Sequence, residues 1–218
     1  MMQPDSTTDV TPQTDSDFSA RDPLYRTAYM LALITIGYNF VEGIISIYFG
    51  LAGETLSLFG FGLDSFVEVI SGMGILHMVQ RIRRNLGEER DRFERRALRI
   101  TGTSFYLLTA GLAFGAAADL WQGHAPETTF WGIIIAVISI ITMQLLVHHK
   151  TKVGLELSSN ALLADANCTR ACLYLSVVLL IASAGYELTG IGGLDSLGAL
   201  GIAFWSFREG RESFEKAS

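Results

Sequence analysis

The chain has 218 residues, 50% of them hydrophobic and only 17% charged, with a formal net charge of -6. Soluble domains carry about 25% charge, so this composition points to a membrane-embedded bundle, with charge confined to the ends of apolar runs. No basic tail or patch is present to take a nucleic-acid partner. The two cysteines, Cys168 and Cys172, lie four residues apart in a helical pattern. That placement disfavours a disulfide between them.

Residues 1–20 are polar and contain Asp5, Asp9, Asp15 and Asp17. They offer no apolar core, which predicts a disordered cytoplasmic tail. No basic stretch leads directly into an apolar run, so a signal peptide is not expected. The first span is predicted over Tyr25–Phe49 and holds Asn39 and Glu42 one turn apart. A carboxylate facing lipid is costly, so Glu42 should face the bundle, as a hydrogen-bonding group or as part of an ion path. A short turn with Gly50, Gly53 and Glu54 leads to a second span over Thr55–Val79. Its glycines, Gly60, Gly62, Gly72 and Gly74, permit close helix approach. Its polar seam is Asp64, Glu68 and Ser71.

Arg81–Arg99 is rich in arginine interleaved with acids and reads as a solvated loop that sets topology. The third span runs from Leu98 to Trp121, followed by a polar loop with His124, read as a surface residue. The fourth, Phe130–Val147, is almost wholly apolar and should face lipid. His148, His149, Lys150 and Lys152 at its end are either a metal-collecting pair of histidines or a plain interfacial basic cluster. The fifth stretch, Leu155–Tyr186, carries Arg170 on a face away from the cysteines. Asp165 or Glu42 could partner it, or it could snorkel to the interface. The sixth span, Ile191–Phe207, opens with Asp195 and contains Gly198 and Gly201.

Lys and Arg occur before the first span and after the second, fourth and sixth, and the three alternate loops contain none. The positive-inside rule therefore predicts an all-α, six-span transmembrane helix bundle with both termini cytoplasmic. The expected organisation is a tail over 1–20, a transmembrane domain over 21–210 and a short cytoplasmic tail over 211–218.

The fifth stretch has an unusual seam. Asp165, Cys168, Cys172 and Ser176 recur at three- and four-residue spacing and so share one helical face. Asp64 and Glu68 form a matching pair on the second span. Two helices that each offer an i,i+4 pair of metal-competent groups could build one four-ligand site from Asp64, Glu68, Cys168 and Cys172. Oxygen and thiolate together suit a tetrahedral divalent ion. Zinc accepts both, cadmium, cobalt and nickel are compatible, and magnesium and calcium favour all-oxygen shells. The competing reading makes the cysteines small packing residues and the acids structural.

Asn39 and Glu42, the segment Leu63-Asp64-Ser65-Phe66-Val67-Glu68, the segment Ala161-Leu162-Leu163-Ala164-Asp165 and Asp195 together resemble the cation diffusion facilitators, over about Tyr25–Gly210. The resemblance implies a six-span exporter of zinc and related divalent metals in the cell (inner) membrane, built as a homodimer. It implies that Asp64 and Glu68 occupy the second-span ligand positions. It also places Cys168 and Cys172 where the family usually has a histidine and an aspartate. The spacing is kept and the ligand chemistry is changed. The cytoplasmic domain typical of the family is not seen in the sequence, which resembles a short, transmembrane-only branch.

The expected function is divalent metal export by alternating access, with protons as counter-ion, and not an enzyme. Four negative groups in poor solvent repel one another, so the empty site should hold protons that metal entry releases. The alternative is a membrane metal-binding or sensor protein without turnover.

Overall fold

The computed structural model describes residues 13–53, 55–83, 90–123, 128–191 and 193–217. Within them the chain forms helices α1 (Gln13–Ala52), α2 (Leu56–Arg83), α3 (Arg90–Gln122), α4 (Phe130–Glu156), α5 (Asn160–Thr189) and α6 (Gly193–Lys216), and no strand. Residues 1–12, Glu54, 84–89 of the arginine segment and His124 lie outside the described residues. In hydrocarbon every backbone polar group must be satisfied within the segment, which makes helix the only open choice for these apolar runs. Five of the helices contain stretches long and apolar enough to cross a membrane, the exception being α6. Its apolar part ends at Phe207, and Arg208, Glu209, Arg211 and Glu212 fill the following turns.

The helix boundaries depart from expectation in three places. α1 reaches back to Gln13, into the segment expected to be a disordered tail. The extension passes through Pro23, which has no amide hydrogen to donate, so it is made without a backbone hydrogen bond from that position. The arginine segment is largely helical at both ends, in the last turn of α2 and the first turns of α3. Finally, α4 continues through the basic cluster to Glu156, and α5 begins only at Asn160, so Leu155 belongs to α4. Ser159 makes that break, its hydroxyl accepting from the Leu162 amide as the N-cap of α5.

Three helix pairs dominate the packing: α1 with α2, α4 with α5 and α3 with α6. Glycine sets two of these approaches. A Cβ at Gly62 of α2 would stand 2.9 Å from the Ile47 backbone nitrogen of α1. On the other pair, a Cβ at Gly102 of α3 would stand 3.1 Å from the Gly210 carbonyl oxygen of α6. Backbones this close need a missing side chain. Helix ends are tied across the bundle by acids. Glu187 near the end of α5 accepts the Thr129 amide at 2.8 Å at the start of α4. Asp195 in the first turn of α6 accepts the Leu56 amide at 2.8 Å at the start of α2. Both place negative charge where a helix has unpaired N–H groups and a positive dipole end.

The fourth helix is two-faced rather than uniformly lipid-facing. Ile138, Ile141 and Leu145 are exposed, whereas Ser139, Met143, Leu146 and Lys150 are buried.

Candidate metal site

The four residues expected to form the site are all buried, between α2 and α5. Asp64 and Glu68 project from the middle of α2, one turn apart, and Cys172 of α5 lies within electrostatic range of both carboxylates. Cys168 lies one turn nearer the start of α5, within electrostatic range of Glu68, Asp165 and Asp64. Among the described residues no three His, Cys, Asp or Glu side chains meet in ligating geometry.

A buried cation pairs with two acids beside the site. The Lys150 ammonium, from α4, is 2.8 Å from Asp165 Oδ2 and 3.7 Å from Glu68 Oε1. It also donates to the Thr169 hydroxyl at 2.7 Å, and Thr169 in turn donates to Glu68 Oε1 at 2.5 Å. The Ser71 hydroxyl holds Asp165 Oδ1 at 2.9 Å. Glu68 Oε2 is buried and has no hydrogen-bond partner among the described residues. A carboxylate with one oxygen tied and the other unsatisfied is poised to accept another positive partner.

Lys150 is 4% exposed, so it does not belong to an interfacial basic cluster, one of the two readings of the segment at the end of α4. The signal was present: Ser139, Met143, Leu146, Lys150 and Val153 recur at three- and four-residue spacing on the inner face of α4. Its neighbours His148 and His149 point away from that face and are exposed. Arg170 is half-buried and donates to Asn167 on its own helix at 3.1 Å. The cation paired with Asp165 is Lys150, on another helix.

Glu42 faces the bundle as expected. Tyr38 donates to its Oε1 at 2.8 Å and Ser65 to its Oε2 at 3.1 Å. Beyond the cysteines the α5 seam continues through Ser176, whose hydroxyl donates to the Cys172 carbonyl at 2.8 Å and is hydrogen-bonded with the Ser139 hydroxyl of α4 at 3.0 Å.

A cavity of about 570 Å³ lies between the end of α2, the start of α3, the start of α5 and the end of α6. Ser71, Asp165, Cys168 and Glu209 are in its lining, so of the four expected ligands Cys168 meets this open space. Two residues past the apolar part of α6, burial pushes the Glu209 carboxyl up to about 7, with the nearby Glu212 charge adding to the effect.

Long apolar helices in a sheetless bundle, with carboxylates, thiols and one ammonium gathered inside it, define an integral multi-pass membrane protein built to handle charge within the bilayer. Residues 32–218 match the family described as the cation efflux transmembrane domain, and the chain belongs to that family. Its members are transporters and not enzymes, which gives this chain a role in divalent-cation transport. No curated protein matches the chain.

Proposed function

We propose that the protein exports a divalent metal ion, zinc foremost and cadmium among softer alternatives, through a site made of Asp64, Glu68, Cys168 and Cys172. The observation that carries this reading is the cavity that meets Cys168 and Asp165 from the ends of α2, α3, α5 and α6. Those ends adjoin the arginine segment and the C-terminal charges, the side that the positive-inside rule assigns to the cytoplasm. A metal would then enter from the cytoplasm, and six spans with cytoplasmic termini follow from the same rule.

In this mechanism the ion enters past Glu209 and reaches Cys168 first. It is then drawn between α5 and α2, where Asp64, Glu68 and Cys172 complete its shell. Ligation needs thiolate and carboxylate forms, so metal entry releases protons, and reloading protons after release on the far side resets the site. Metal and proton exclude each other there, which is the minimal coupling for antiport. The α2–α5 seam closes on one side and opens on the other as the ion crosses. The family resemblance supports a homodimer in the cell (inner) membrane.

Proteoliposomes with a metal-sensitive dye inside test the proposal. Zinc flux above that of empty liposomes, driven by a pH gradient, is the expected result. Metal binding by the detergent-purified protein with no flux would instead leave a membrane metal-binding protein without turnover.

A further inference from the structure

We propose that Lys150 is a tethered counter-cation of the metal site, held in contact by Asp165 and lending part of its charge to Glu68 until a metal takes that carboxylate. This rests on the reading of Glu68 as a metal ligand. A lysine buried in a membrane span is expensive and needs acid partners. Lys150 has two, and they are unequal. It makes full contact with Asp165 at 2.8 Å but stands 3.7 Å from Glu68. The hydrogen bond through Thr169 links it to the same Glu68 oxygen.

One ammonium is thus shared unequally by two acids. Asp165 is fixed by the Ser71 hydroxyl and by its ion pair, so it can hold Lys150 without help from Glu68. Glu68 keeps one buried oxygen without a partner, so its neutralisation by Lys150 is incomplete. A divalent ion beside Glu68 repels the ammonium and attracts both carboxylate oxygens. The contact with Asp165 keeps Lys150 paired throughout, so the buried ammonium is not stranded in either state. Lys150 thereby sets how tightly metal is held, since its charge opposes every cation that approaches Glu68.

The test is a double-mutant cycle on the full-length, detergent-purified protein, with zinc and cadmium Kd measured at one pH. Asp165→Asn removes the acid that holds Lys150 in contact, leaving Glu68 as its acid partner among the described residues. The expected result is metal binding weakened about tenfold or more. Adding Lys150→Gln should restore the Kd to the parent value or below it, because the competing cation is gone. A folded double variant that still binds as weakly as Asp165→Asn would overturn the proposal, since Asp165 would then act on the metal or the fold directly. Should Asp165→Asn fail to fold, the neutral double variant decides alone: parent-like or tighter binding supports the proposal, and binding tenfold weaker sinks it. Asp64→Ala, measured in parallel, reads the site itself. Loss of binding in Asp64→Ala, with parent-like binding in both Asp165 variants, removes only the role of Lys150. Unchanged binding in Asp64→Ala removes the site and the proposal together.

Discussion

The Asp195 carboxylate of α6 closes the N-terminus of α2 at Ser57. Its Oδ1 accepts both the Ser57 amide, at 3.3 Å, and the Ser57 hydroxyl, while Oδ2 takes the Leu56 amide. The helix that carries Asp64 and Glu68 is therefore held in place by the first turn of α6, far along the chain. Asp195→Ala is expected to cost about 2 kcal/mol, the upper end for loss of a helix cap. Thermal unfolding of the purified protein would show this as a lowered midpoint, and an unshifted midpoint would refute the tie.

Asp64→Ala should abolish transport, because a buried ligand in the middle of α2 is lost. Glu68→Asp keeps the charge, shortens the reach and should reduce flux less severely. Dye-loaded proteoliposomes check both, and an unimpaired Asp64→Ala protein would remove the acid from the site.

Saturating zinc or cadmium should slow alkylation of Cys168 and Cys172, and Asp64→Ala should weaken that protection. Without metal, Cys168 should react faster, since it lines the cavity while Cys172 is 1% exposed. The double change Cys168→His with Cys172→Asp should keep zinc binding and lower the relative affinity for cadmium, as soft sulfur gives way to harder donors. Equal alkylation rates with and without metal would take both thiols out of the site.

Gly62→Leu should prevent α1 and α2 from packing, because a side chain there meets backbone of α1. Gly37→Ala is the matched control, with nothing within 4 Å of the added carbon. Size-exclusion profiles of the purified variants should show loss of the folded peak for the first and none for the second.

Both chain termini are expected on the cytoplasmic side. A single reporter cysteine near either end, in a cysteine-free background, should resist an impermeant reagent added to intact cells. Labelling from outside would reverse the assigned direction of transport.

Much of this protein was legible from local pattern. Apolar runs in a bilayer can only be helices, so the five long spans follow from composition, and burial of Glu42, Asp64, Glu68 and Asp165 follows from the cost of a charge in lipid. The shared face of Asp165, Cys168 and Cys172 follows from helical periodicity alone. What periodicity cannot supply is which helix lies against which, because each helix presents a polar seam and the sequence does not pair the seams. The basic cluster shows the consequence. Lys150 stands between exposed His149 and exposed Lys152 in sequence, and its neighbours make it look interfacial. Its spacing places it on the inner face of α4, and the packing of α4 along α5 supplies Asp165 and Glu68 as its partners. The same holds for Asp195, whose task as the cap of α2 depends on two helix ends meeting across most of the chain. The sequence by itself determined the helices, their polar faces and the chemistry on them. Tertiary structure decided which charges neutralise one another, because an ion pair depends on distances of a few ångströms between helices that local sequence does not encode.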